Sequence, residues 1–427
     1  MIYTKQQKKG KHVYIMLFLY WLILLIWQNI RTGENRDGID TVIKAGLIVF
    51  LTIYFYFCSR SIKSNVLLVF LFYLLAYSFA KLTSAKFDLT DAMYYYFPLL
   101  MFLVTLGMGG NSTISKEDLI RLCYMLIIAV FYIVVYAMIF QREAYLQAIR
   151  ASNAYGNELT SFLASSHEFG YYLAFGIMAA ILCMDLDEKM SPAKKAGLII
   201  AIIMFSLSLI LTFSRTAIVA FIVMLLWYVL SSGKRKLKKA IFGIVFASLL
   251  LILIIAPLRE YFLLVVFKDN NDAGRDELAA AGLEIFKRAP LGNMLFGYDR
   301  HSVQRYLARW YRHSSFHNSF IQTLTCNGLI GVAFPIGCFI YEAVHIAKTV
   351  KLAPEWKRLA NLFYSFMFAL LITLLFQTNS LFASSIDSYF LTFFCFLLPI
   401  YVDNAIRQGV FETKVPEEVC DDHAKQN

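Results

Sequence analysis

Charge is what this 427-residue sequence has least of. Asp, Glu, Lys and Arg make up 16% of it and hydrophobic residues 59%, against about 25% and about 45–50% in soluble domains. So little charge excludes a soluble globular protein. Length alone would give roughly three domains at about 150 residues each, but that estimate assumes a core bounded by water. Paired cysteines are missing as well. Of seven, Cys58, Cys123, Cys183, Cys326, Cys338 and Cys395 sit in apolar runs and Cys420 in a polar tail. No pair has metal spacing, and no disulfide framework is implied. Gly107-Met108-Gly109-Gly110 lacks the Lys-Ser/Thr of a phosphate loop, and no zincin, kinase or serine-hydrolase pattern is visible. Asp185-Leu186-Asp187 has the carboxylates to hold a metal and a nucleotide sugar, but Glu188 and Lys189 continue it as a short solvated turn.

Long apolar runs are abundant. A bilayer core takes about 20 mostly apolar residues per helix, and about twelve such runs start near Val13, Thr41, Asn65, Ala92, Leu119, Phe162, Ala196, Thr216, Ala240, Asn318, Leu359 and Ile386. The first follows Lys5, Lys8, Lys9 and Lys11 like a signal peptide, yet no small-residue cleavage pattern follows it, so it reads as a span. The 40 Lys and Arg outnumber the 29 Asp and Glu, giving +11. With a cytoplasmic N-terminus, Arg60/Lys63, Lys116, Lys189/Lys194/Lys195, Lys234 to Lys239 and Lys348/Lys351/Lys357/Arg358 all fall in cytoplasmic connections. This is the positive-inside bias, and it reads the Lys234–Lys239 run as a topology anchor rather than a nucleic-acid patch.

The expected fold is thus an all-α polytopic membrane protein of about 12 transmembrane helices, both termini cytoplasmic. Residues 1–256 hold the first nine membrane helices, 257–317 one large extracytoplasmic loop, 318–402 the last three helices and 403–427 a cytoplasmic tail. A 60-residue stretch without a span exceeds ordinary connections, and this one carries helical patterns. From Arg275 to Lys287, Leu278, Leu283 and Phe286 give an apolar side, Asp276 and Glu277 the first turn, and Pro290 the stop. From Ser302 to His313, Val303, Tyr306, Leu307 and Trp310 recur at helical spacing, with Arg305, Arg309 and Arg312 opposite. That helix reads either as lying on anionic lipid or as an anion-binding wall over a substrate.

Ionisable groups in or beside spans mark function by default, and three places qualify. Thr212-Phe213-Ser214-Arg215-Thr216-Ala217 joins two apolar runs with almost no loop, pinning Arg215 at the outer rim, as an anchor or as a site. Ser315-Phe316-His317-Asn318-Ser319 precedes the tenth span and puts His317 near a helix N-terminus, where an anion is favoured. Ser165-Ser166-His167-Glu168 begins the sixth, as a polar helix start or as a donor and carboxylate for a sugar.

Ser-Arg-Thr-Ala opening a span, Gly274-Arg275-Asp276 followed by a helix and Ala289-Pro290-Leu291-Gly292, then His317-Asn318, nine residues and Gly328-x-x-Gly331, together resemble the bacterial O-antigen ligase and polymerase superfamily. The resemblance is strongest over about residues 197 to 335. It implies a GT-C-like membrane fold, no metal or other cofactor, Arg215 and Arg275 on the diphosphate of an undecaprenyl-diphosphate-linked oligosaccharide, and His317 at the transferring centre. His167-Glu168 departs from the pair in many relatives, and Arg305, Arg309 and Arg312 lie in a variable region; these five are further candidate substrate contacts.

The residue types suit that chemistry. Guanidinium forks hold phosphate oxygens in a way Lys cannot reproduce, and an imidazole suits acceptance of a sugar hydroxyl's proton. No matched carboxylate pair points to double displacement, so inversion is expected. The expected activity is polymerisation of lipid-linked repeat units at the outer face of the bacterial cytoplasmic membrane, for capsule, exopolysaccharide or O-antigen. Transfer of a finished glycan to another acceptor is the alternative, and a lipid-linked oligosaccharide flippase the third reading. Carriers commonly show internal repeats, and none is visible here. Besides the bilayer, a chain-length regulator and a flippase are candidate partners.

Overall fold

The structure is a computed structural model, and it describes residues 113–150, 158–231, 275–352, 356–376 and 398–409, less positions 164, 188, 299 and 314, together with positions 68, 71, 72, 75, 254, 259, 260, 263 and 395. The expected spans starting near residues 13, 41, 65, 92, 240 and 386 lie wholly or largely outside these residues, as does the Lys234–Lys239 run. Among the described residues there is no strand. The helices are α1 (Lys116–Phe140), α2 (Arg142–Arg150), α3 (Ser166–Leu186), α4 (Pro192–Leu211), α5 (Arg215–Ser231), α6 (Arg275–Lys287), α7 (Leu291–Phe296), α8 (Arg300–Tyr311), α9 (Ser319–Leu352), α10 (Lys357–Phe376) and α11 (Leu398–Arg407). Among the described residues, four segments are long and apolar enough to cross a bilayer: α1, α3, α4 and Leu359–Phe376 of α10.

Local sequence explains where these helices start. The Ser115 hydroxyl oxygen accepts from the Asp118 N–H at 3.2 Å, and Glu117 and Asp118 face the positive end of α1. Ser165 does the same for the Glu168 N–H at 3.2 Å, in a Ser-x-x-Glu start. Ser191 caps α4 just ahead of Pro192, whose missing N–H costs nothing at the first helical position.

Packing separates a central helix from lipid-facing ones. α3 is buried nearly all round, against α1, α4 and α5. α4 instead leaves Ile199, Ile200, Ile203, Leu207 and Ile210 exposed, an apolar stripe that lipid covers. α5 packs chiefly on α10, with Trp227 on Phe368 at 4.6 Å between ring centres. Outside the helix pair α1 and α4, residues 158–163 are tied down at three points. The Gln141 side-chain amide donates to the Ser161 carbonyl at 2.9 Å, the Ser161 hydroxyl to the Ile133 carbonyl at 3.0 Å, and the Leu159 N–H to the Leu211 carbonyl at 3.2 Å.

The large loop folds on a small core of its own. Leu278 of α6, Val303 and Leu307 of α8, Phe316, and Cys326 of α9 bury together. The helix expected over 275–287 is present with those bounds. The second starts and stops two residues earlier than its pattern predicts, so Arg312 is not on it: Arg312 follows α8 in a left-handed turn, φ 56°. Only Val303 and Leu307 of the expected apolar side are buried; Tyr306 and Trp310 are exposed, because the seam with the small core is narrower than the sequence stripe. Two short helices, α2 and α7, were not evident from periodicity.

α9 is broken where the pattern reads as continuous. Gly328 has φ 67° and ψ −167°, a kink inside the helix, and Gly297, just after α7, has φ 82° and ψ −176°. Each occupies backbone space essentially reserved for glycine, because the two backbone segments touch there. A Cβ on Gly328 would lie 2.3 Å from the Leu295 carbonyl carbon, and one on Gly297 would lie 2.2 Å from that of Cys326. The Tyr298 N–H donates across this joint to the Thr325 carbonyl at 2.8 Å.

Candidate functional site

Two of the sequence candidates meet at the start of α5. Thr212, Phe213 and Ser214 make the turn out of α4, with Phe213 buried at φ 50° and the Thr212 hydroxyl donating to the Leu209 carbonyl at 2.7 Å. Ser214 caps α5: its hydroxyl oxygen accepts from the Ala217 N–H at 3.3 Å. The same hydroxyl is 2.6 Å from Nδ1 of His167, 47 positions earlier in the chain. The Ser214 hydroxyl thus bonds both the start of its own helix and the His167 ring, and the His167 tautomer sets which of the two side chains donates. The α3–α5 approach that allows this is close. A Cβ on Gly170, one turn after His167, would lie 2.5 Å from the Ala217 methyl.

Arg215 is the first residue of α5 and is half-buried. A cation there opposes the helix dipole, and the first turn of α5 carries no acidic residue. A guanidinium at a helix start suits an anion. Glu168 is buried in the first turn of α3, beside His167.

The second group surrounds the start of α9. The Asn318 side-chain oxygen accepts from the Ile321 N–H at 3.0 Å and caps the helix. His317 precedes it in a left-handed conformation, φ 51°, uncommon for a residue with a side chain and a form of local strain that gathers at functional sites. Its position is fixed from behind. Phe316 is buried against α6, and its N–H donates to the Gln322 side-chain oxygen at 3.3 Å. Half-buried, the His317 ring stands edge-on to His313, 5.6 Å between centres. Sequence reasoning passed over His313; the His-x-x-x-His spacing was the available signal.

Arg275 opens α6, one turn before Leu278, which shares the small core with Phe316. This brings the α6 start and the His317 segment onto one body. On α8, Arg305 and Arg309 are exposed. The Arg305 guanidinium donates to the Ser302 hydroxyl at 3.4 Å, and that of Arg309 lies over the Trp310 ring at 5.5 Å. Tyr311 closes the helix beside Glu277; burial, then Tyr306 and Glu277, push its hydroxyl above the usual phenol range.

The candidates therefore fall into two groups: His167, Glu168, Ser214 and Arg215 where α3 meets α5, and Arg275, His313 and His317 with the α8 arginines around the α9 start. Asp185 is taken up elsewhere. It sits in the last turn of α3 and accepts from the Tyr228 hydroxyl at 2.8 Å. Among the described residues, no three His, Cys, Asp or Glu side chains are grouped to hold a metal.

No curated protein matches the chain. Residues 199–336 match the family model described as O-antigen ligase, a region running from α4 through the large loop to just beyond the Gly328 kink.

Proposed function

We propose, from the premise of that O-antigen ligase region, that the protein polymerises undecaprenyl-diphosphate-linked oligosaccharide repeats at the outer face of the bacterial cytoplasmic membrane. The observation that carries the reading is the join of His167 through Ser214 to the Arg215 helix start, at 2.6 Å. It gathers a guanidinium, a helix N-terminus and an imidazole on one spot suited to a diphosphate. Arg215 and Arg275 hold the lipid diphosphate by charge-assisted hydrogen bonds and stabilise it as it leaves. His317 takes the proton of the acceptor sugar hydroxyl. The hydroxyl oxygen bonds to the anomeric carbon as the bond from that carbon to the diphosphate oxygen breaks, a single displacement that inverts configuration. His167 and Glu168, with Arg305, Arg309 and Arg312, bind the remaining sugars, and the lipid tail enters sideways from the bilayer.

Since guanidinium groups supply the positive charge, the reaction proceeds in EDTA. Purified protein given lipid-linked repeat units should build a ladder of products without nucleotide, and His317→Ala should abolish it while leaving expression intact. Unchanged substrate sinks the polymerase reading, and a normal ladder from the variant removes His317 from the mechanism. Transfer of the finished glycan to a different acceptor is the second reading, favoured by the description of the matched family. It predicts product only when that acceptor is supplied.

A further inference from the structure

A buried carboxyl group lies near the opposite end of α9 from His317. Glu342 is 1% exposed, and among the described residues neither of its carboxylate oxygens has a hydrogen-bond partner. Ionised and unpaired, a group so enclosed is strongly disfavoured. It needs a proton or a cation. Cationic side chains are close, but they are committed to another acid. Asp403 of α11, itself buried, receives both His345 Nε2 and Arg407 Nε on its Oδ2, the latter at 3.0 Å. Arg407 also donates to the His345 carbonyl at 3.4 Å.

That cluster closes on itself, and the neighbouring charge that reaches Glu342 is the Asp403 carboxylate. Among the described residues, the other ionisable groups facing this corner are engaged elsewhere. Tyr341 of α9 stacks on His345, 5.6 Å between ring centres. Tyr364 of α10 donates its hydroxyl hydrogen to the Ala343 carbonyl at 2.9 Å. Enclosure of this kind disfavours the charged form of the Glu342 carboxyl.

We propose that Glu342 is a proton-binding site: its carboxyl group carries the proton that lets α9 and α11 close over the Asp403–His345–Arg407 cluster. A bound metal ion is the competing occupant, and the described residues offer no set of three ligating side chains for one. Loss of the proton sets a second negative charge beside Asp403 and loosens the packing of α9 on α11. The site is independent of the glycan chemistry proposed above.

Dicyclohexylcarbodiimide, applied to the full-length protein in lipid nanodiscs, tests this directly. A protonated carboxyl in apolar surroundings adds across the reagent's C=N bond and nothing leaves, so the peptide gains the whole reagent mass. The expected result is labelling of Glu342 that falls about tenfold per unit as pH rises through its ionisation, is indifferent to sodium, potassium or magnesium, and vanishes in Glu342→Gln. No labelling anywhere between about pH 5 and about pH 9 overturns the proposal, as does protection by any of those cations at constant pH. Glu342→Gln, isosteric with the neutral acid, should keep the wild-type melting temperature. A marked fall would show that the ionised form is the native one and would also overturn it.

Discussion

Gly328→Ala should unfasten the large loop from α9, at a cost that can be worked from the joint itself. The backbone at Gly328 lies in a region that costs a side-chain-bearing residue about 1–3 kcal/mol. The new methyl would also press into the Leu295 carbonyl at 2.3 Å and the Phe296 nitrogen at 2.5 Å, main-chain atoms that cannot rotate away, and such overpacking costs about 1–3 kcal/mol more. A total of about 2–6 kcal/mol raises the undocked population by about 30-fold to about 20,000-fold, at tenfold per 1.4 kcal/mol. Cys326 reports the opening. It is 6% exposed in the closed joint and belongs to the small core, so its rate of alkylation, followed by peptide mass spectrometry, should rise by that order. Gly297→Ala should do the same from the other side, and the double variant should cost less than the sum because both break one contact. Gly197→Ala is the control, since nothing lies within 4 Å of its added methyl. A Gly328→Ala protein whose Cys326 stays as protected as in the wild type would refute this account.

Two substitutions probe the proposed diphosphate site more directly. Ser214→Ala removes both the α5 cap and the partner of His167, each worth about 1 kcal/mol. KM for the lipid-linked donor should rise about fivefold to about thirtyfold with kcat less affected, and Ser214→Thr should restore it; wild-type kinetics in the alanine variant would discard the pair. Arg275→Lys keeps the charge but loses the fork. Its kcat/KM should fall, and an unchanged value would argue against diphosphate recognition at that position.

Much of this architecture was legible because it is written locally. Arg275–Lys287 carries acid in its first turn, a base in its last and a proline beyond, and the helix has those bounds. Ser165 and Ser191 announce their helices in the same way. What could not be read were events between segments. The period of α9 is unbroken at Gly328, because the kink is imposed by the backbone of residues 295–297 packing against it. Ser214 looks like an ordinary cap until α3 delivers His167 to it. Tyr306 and Trp310 keep helical spacing with Leu307, yet the small core has room for only one ridge of α8. Glu342, lodged in an apolar run, acquires meaning only beside Asp403, sixty-one positions later.

The three fastenings on residues 158–163 also bear on how a long lipid could reach Arg215. They strap the C-terminal half of α1 to the end of α4, and Leu211, which takes one of them, stands four residues before Arg215. A polyprenyl chain arriving between those two helices would have to undo the strap. If the protein takes the lipid-linked donor proposed above, its tail enters on a flank other than the strapped α1–α4 side, which then stands as a fixed back wall.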